Sequence, residues 1–287
     1  MPFPAIHQIM QEAYLTTRDF LVSGKEFELV WNEKYRCLQT LPVPEDLDAY
    51  YQTPDYISHS DRAETLLEKI YQRAKKQNLK RKLRIVEKYH KGAGVLMDVG
   101  AGTGDFLRFA QMNGWEAYGV EPNDQARERA HQKGVSVYKS LSVQKEPAYD
   151  VVSYWHVFEH LQDLEGSVAD LSAVLKPGGC LVIAVPNYKS LDARFYKEYW
   201  AAFDVPRHLW HFSRDSIDHL FTSKGYELLS VKPLWLDAFY ISWLSETYRK
   251  RKFAPILGFA IGLISNLYGI FFGEYSSHVY VLRKTPN

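Results

Sequence analysis

Cysteine is scarce in this chain: Cys37 and Cys180 are the two in 287 residues. Two thiols cannot build a disulfide framework, and a reducing, cytoplasmic setting is expected. An excess of charge of one sign is also missing. With 35 basic and 34 acidic side chains the net charge is +1, which argues against whole-molecule attraction to nucleic acid, and no nucleic-acid partner is expected. There is no internal repeat. The opening MPFPAIHQIM has neither a basic start nor an uninterrupted apolar core, so no signal peptide is expected. At 46% hydrophobic and 24% charged residues the composition is that of an ordinary globular chain, long enough for one large domain or a domain with an appendage.

The chain is organised around VLMDVGAGTGDFLRFAQMNGWEAYGVE, residues 95–121. Val95 to Val99 is a short apolar, β-branched run that predicts a buried strand, and it empties directly into Gly100-Ala101-Gly102-Thr103-Gly104. Asp105 is placed to cap a helix whose apolar positions recur at helical spacing until Gly114, and 115–120 predicts a second strand ending on Glu121. Glycines let a ligand approach the backbone, and a carboxylate at the next strand end can take both hydroxyls of a ribose, so a nucleoside ligand is implied. The glycine spacing is G-x-G-x-G rather than the dinucleotide G-x-G-x-x-G, and Asp105, where the last glycine would stand, is a poor neighbour for a pyrophosphate.

DVGAGTGDF followed by GVEP resembles motifs I and II of the class I S-adenosylmethionine-dependent methyltransferases. The resemblance implies S-adenosylmethionine as cofactor, held by Asp98, Gly100, Ala101, Gly102, Gly104, Glu121 and Pro122, with His156 beside it. It also implies the fold: an α/β, Rossmann-like seven-stranded sheet with helices on both faces. To this the chain adds a small N-terminal α+β cap and a hydrophobic helical insertion before the last strand. The expected division is a cap over 1–90 and a methyltransferase domain over 91–287, with insertions at about 188–212 and 236–275. Strands are expected at 135–138, 149–154, 180–185, 225–234 and 278–282, helices at 167–175 and 213–223, and a turn at the family-like LKPGG.

In the cap, 19–22 and 27–31 read as a hairpin about Ser23-Gly24, followed by Cys37 and the tyrosine-rich DAYYQTPDYISHS. This resembles a zinc-ribbon-like leader in a subgroup of these enzymes, but one cysteine cannot supply a four-ligand thiolate site, so no structural zinc is expected. Tyr50, Tyr51, Tyr56 and His59 are either pocket-lining or cap packing. Residues 62–90 predict a long helix, or two in series, whose polar side, including Lys75 and Lys82, is basic; a solvated face is expected, with an anionic membrane surface as the alternative.

Chemistry should gather at the C-terminal ends of the strands. Past the fourth strand, His156, Glu159 and His160 are spaced i, i+3 and i+4, which on a helical turn is one face. They offer a general base for the acceptor's proton, a divalent-metal site, or a loop scaffold. The segment resembles that of quinone-biosynthesis O-methyltransferases, which carry a carboxylate at the place of His156. A second constellation, DVPRHLWHF at 204–212, resembles that subgroup's acceptor-pocket border. It offers His208 as base or anchor and Arg207 for an anionic substrate group, with Tyr196, Tyr199 and Trp200 as an aromatic wall; the alternative is a hydrogen-bonded loop. His160, His156, His208 and Glu159 are therefore the catalytic candidates, and no metal is assigned.

Residues 253–273 carry no charge and follow Arg249-Lys250-Arg251-Lys252. The length would cross a bilayer, but strands on either side must pair in one sheet, which leaves a lid, a homodimer surface or peripheral membrane contact through 249–273. The expected activity is methyl transfer, most readily to oxygen, onto a small or lipid-like acceptor. Two rivals stand beside it: a non-catalytic cofactor-binding or assembly protein at the membrane surface, and a nicotinamide enzyme.

Overall fold

The computed structural model describes residues 12–51, 66–141 and 148–286. Strands β1 (Ala13–Arg18), β2 (Glu26–Asn32) and β3 (Cys37–Leu41) form an antiparallel meander. The expected strand at 19–22 is instead a turn. Asp19 is buried, and its carboxylate accepts from the N–H groups of Leu21, Val22 and Ser23 and from the Ser23 hydroxyl, which bends the chain back before Gly24. Tyr56 and His59 lie outside the described residues.

A long helix, α1 (Leu66–Tyr89), leads into β4 (Val95–Val99), α2 (Asp105–Met112), β5 (Glu116–Val120), α3 (Asp124–Gln132) and β6 (Ser136–Tyr138). After these come β7 (Tyr149–Trp155), α4 (Leu164–Val174), β8 (Leu175–Pro186), α5 (Leu191–Tyr196) and β9 (Trp210–His211). The chain ends with α6 (Arg214–Thr222), β10 (Tyr226–Pro233), α7 (Trp235–Tyr248), α8 (Ala254–Phe272) and β11 (Ser277–Lys284). The main sheet has the order β10-β11-β8-β7-β4-β5-β6, and β11 alone runs against its two neighbours. Successive strand residues serve opposite faces: Met97, Val152 and Leu181 enter one core layer, whereas Leu96, Val151 and Val182 enter the other.

Two local expectations are corrected. The KPGG segment does not leave the sheet: it bulges within β8, where Tyr149 pairs with Leu175 and Val151 already with Cys180, and Gly178 takes φ 75°. Asp105 does not cap α2. Gly104 is the N-cap, and the Asp105 carboxylate pairs instead with Lys133 at 2.8 Å and Lys75 at 2.9 Å. The small sheet is closed by β9, which pairs Gln39 with Trp210 and Leu38 with His211. The N-terminal meander is thereby fastened to the loop that follows α5, beside the crevice where the chain reverses between β4 and β7.

Candidate functional site

The glycine loop is shaped by close contacts on either side of an open centre. A Cβ on Gly100 would lie 2.2 Å from Val157 Cγ2, and one on Gly104 2.6 Å from Val135 Cγ2; Gly102, at φ 53°, faces open space. The N–H groups of Gly100 and Ala101 donate to the Val120 carbonyl at 2.7 and 3.0 Å. Glu121 closes the far side: its carboxylate accepts from Gly102 N–H and Asn123 N–H, each at 2.9 Å. Carboxylate lone pairs remain for a diol. The Pro122 and Glu121 carbonyls accept from Arg127, which holds this corner against α3.

Asp98 is buried beneath the loop and accepts from the Ser153 hydroxyl at 2.6 Å. Burial pushes its carboxyl up to about 6 against the opposing pull of Lys82 and Ser153. Lys82 departs from expectation. It does not join a solvated face but lies over the Trp155 ring at 4.8 Å, and burial lowers its pKa. A buried carboxylate, an ammonium on an aromatic floor and a glycine cradle fit an amino-acid zwitterion joined to a nucleoside, which is the make-up of S-adenosylmethionine. Lys82 escaped sequence reasoning because it is one of many basic residues on α1; its neighbours Leu79, Leu83 and Val86 on the packed side were the available signal.

His156 stands at the end of β7 with φ 58°, an uncommon conformation for a non-glycine residue, and its N–H donates to the Ala184 carbonyl at 2.9 Å. The helical face expected of His156, Glu159 and His160 is not formed as such, because only Phe158–His160 makes a single 3-10 turn. His156 Nε2 instead meets Asp237 at 3.1 Å and its Nδ1 lies 3.5 Å from Glu159. Burial disfavours the imidazolium, but Asp237 and Glu159 outweigh it and raise the pKa well above the ordinary value. Asp237, at the start of α7, was not anticipated; nothing in its sequence context marks it.

Glu159 is buried, and neither carboxylate oxygen has a hydrogen-bond partner among the described residues. Burial opposes its charge, yet His156, His208 and His160 bring its pKa down to about 2. His160 Nδ1 donates to the Arg207 carbonyl at 3.0 Å, with the Tyr51 hydroxyl at the same distance from that nitrogen. Burial first and His208 second lower His160 to about 4, so it is neutral at pH 7 with its lone pair on Nε2. His208 Nδ1 donates to the Ala202 carbonyl at 2.9 Å, and Nε2 is 4.0 Å from Glu159. Glu159, His160 and His208 thus bring one potential ligand atom each within 4.8 Å of one another.

Three candidates have other work. Arg207 is buried, pairs with Asp204 and Asp19, and reaches no open surface for a substrate anion. Tyr196 and Trp200 are buried in the layer between the meander and α7 rather than forming a pocket wall.

The histidines set an acid limit. His160, His211 and His278 have folded pKa values lowered to about 4, 3 and 4, chiefly by burial, so their unfolded forms take up protons first. Stability is therefore lost as pH falls from about 6.5 through 4. Glu159 extends the loss below pH 4.5, while Asp98, raised to about 6, opposes it in part, as does His156, whose raised pKa adds stability as pH falls toward about 6.5. Thermal melts at pH 7.5, 6 and 4.5 should show a falling midpoint; an unchanged midpoint would contradict the buried neutral imidazoles.

Comparison with known proteins gives a consistent family. Residues 67–231 match the profile of the family described as "Methyltransferase domain". An uncharacterized methyltransferase of Geobacillus kaustophilus is 30% identical over 112 residues, 36% of this chain and 52% of that protein. The chain thus matches about half the length of this curated relative. Among solved structures, a geranyl diphosphate C-methyltransferase from Streptomyces coelicolor superposes with a TM-score of 0.53 at 14% identity, covering 85% of this chain and 88% of that one. A methyltransferase from Archaeoglobus fulgidus gives 0.50 at 21%, covering 72% and 94%. The cyclase SpnF gives 0.51 at 16%, covering 72% and 81%. At these identities the likeness is one of fold.

Proposed function

Because this chain belongs to the methyltransferase domain family, which its residues 67–231 match, we propose that it uses S-adenosylmethionine to methylate an oxygen of a small, lipophilic acceptor. The cofactor supplies an electrophilic methyl group. Gly100 to Gly104 and Glu121 hold the nucleoside part; Asp98 and Lys82 provide countercharges for the amino-acid part. The protein's remaining tasks are to position the acceptor, keep water out and take up one proton.

The observation that carries the oxygen reading is His160. Its Nδ1–H is fixed on the Arg207 carbonyl, so the neutral ring offers Nε2 to a hydroxyl proton beside the ionised Glu159. Glu159 then stabilises the imidazolium that forms, while His208, oriented through the Ala202 carbonyl, opposes it. His156, held as a cation between Asp237 and Glu159, serves as a fixed charge rather than a base.

Purified protein should transfer labelled methyl from S-adenosylmethionine to a component of an organic cell extract. His160→Ala should lower kcat by about 100-fold or more with cofactor affinity kept, the usual size of a general-base effect. Retained kcat would remove His160 from the chemistry. Cofactor binding with no transferred label would favour the non-catalytic alternative. The Glu159, His160 and His208 cluster supports a second reading, in which a divalent ion acidifies the acceptor hydroxyl. Loss of activity on chelation, restored by added metal, would select it.

A further inference from the structure

Helices α7 and α8 present the wrong sides to solvent. The α8 residues turned to protein are Ala254, Gly258, Gly262, Ser265, Asn266 and Gly269. Its large apolar residues face out, Ile256 at 69% and Phe271 at 79% exposure. On α7, Ser242, Ser245 and Glu246 are buried together with Ala238 and Ile241, while the larger Trp235, Leu236, Tyr240 and Trp243 are exposed. A helix on a soluble domain does the reverse. The exposed face is continuous along both helices, beyond the scattered apolar residues normal on a monomer.

The buried side is built as helices pack in lipid. A Cβ on Gly258 would lie 2.4 Å from Trp243 Cα, and one on Gly262 2.8 Å from the Ala238 carbonyl oxygen, so the two backbones touch. Asn266 Nδ2 donates to the Trp235 carbonyl at 2.9 Å and the Ser265 hydroxyl to Asp192 at 2.7 Å. Small residues four apart, with a side-chain hydrogen bond from Asn266 across the seam and one from Ser265 to α5, hold helices together without a hydrophobic drive between them.

We propose that the outer face of the α7–α8 pair docks on an anionic phospholipid bilayer, with the helices lying in the interface. Charge complementarity selects this occupant. Lys250, Arg251 and Lys252 are exposed at the turn between the helices, and the face has no exposed acidic residue to answer them. Trp235, Tyr240 and Trp243 on α7 suit the headgroup level, beside the apolar outer side of α8, where leucines and isoleucines alternate with Phe259, Phe271 and Phe272. Residues 254–272 are long and apolar enough to cross a membrane, but β10 and β11 on either side of the pair are hydrogen-bonded to each other, so the chain returns to the side it left. Asp237 on α7 holds His156, which puts the docked face next to the crevice. This inference is independent of the methyl-transfer reading.

The test is co-sedimentation of the purified full chain with phosphatidylcholine vesicles, with and without a quarter of phosphatidylserine. Binding is expected to the anionic vesicles and should weaken from 0.1 M to 1 M salt. Lys250→Glu with Arg251→Glu should reduce it by about tenfold or more. Ile256→Asp with Phe271→Asp, at sites already in water, should abolish it with an unchanged circular dichroism melt. Brominated acyl chains should quench tryptophan fluorescence of the unaltered protein. The proposal is overturned if the protein stays in solution with both vesicle types, or if the double aspartate variant pellets like the parent. A dimer that the same variant splits, without vesicle binding, would assign the face to a second copy and overturn it as well. None of these results alters methyl transfer to a soluble acceptor.

Discussion

Gly102→Arg should abolish S-adenosylmethionine binding, lowering affinity by at least about 100-fold, or about 2.8 kcal/mol. Gly102 has φ 53°, and no atom lies within 4 Å of where its Cβ would stand. The new side chain therefore fills the open centre of the cradle rather than a packed core. A non-glycine residue in this backbone region costs about 1–2 kcal/mol, a modest loss of melting temperature beside a complete loss of binding. Gly100→Ala makes the contrast, because its Cβ would strike Val157 at 2.2 Å, next to the turn that carries Glu159 and His160. That variant should lose stability and binding together. Calorimetric titration and thermal melts on both proteins separate the effects. If Gly102→Arg binds the cofactor like the parent, the crevice is not the cofactor site.

Arg207→Met should destabilise the fold by about 3–5 kcal/mol, the usual effect of stranding buried charges. Arg207 is 1% exposed and donates to Asp204 at 2.6 and 3.0 Å, to Asp19 at 3.2 Å and to the Tyr50 carbonyl at 3.3 Å. Its guanidinium is the bolt between the Asp19 turn and the loop that carries His208. Burial works against Asp19, but four hydrogen bonds within its own turn and the charge of Arg207 hold its carboxyl below the ordinary range. Lysine at 207 should rescue little, since it cannot span both carboxylates in a planar fork. Urea denaturation measures the difference, and a double-mutant cycle with Asp19→Asn isolates the pair. A loss below about 1 kcal/mol would mean that the network is not what binds cap to domain.

Methionine at 207 keeps the backbone carbonyl on which His160 Nδ1 rests, so a change in activity would report movement of the loop rather than loss of that hydrogen bond. The same loop is thus both a structural lock and the support of the proposed base. Sequence reasoning could offer Arg207 only as substrate ligand or loop scaffold, because its partner Asp19 stands far away in the chain. Lys82 is a parallel case, since one cation among many on α1 becomes a crevice residue only when Trp155 and Asp98 are brought beneath it.

The strand, glycine loop, helix, strand and carboxylate between Val95 and Glu121 were legible in the linear chain, because each rests on local chemistry: β-branched residues, positive-φ turns and apolar spacing. The same holds for the sheet's alternating elements and for the uncharged stretch at 253–273. Tertiary structure decided which groups meet. It put Asp237 on His156, Asp19 on Arg207, and the neutral His160 beside an ionised Glu159. It also turned the glycines of α8 inward and its phenylalanines outward. Burial, tautomer and charge state depend on neighbours distant in sequence, and for that reason no local pattern could declare them.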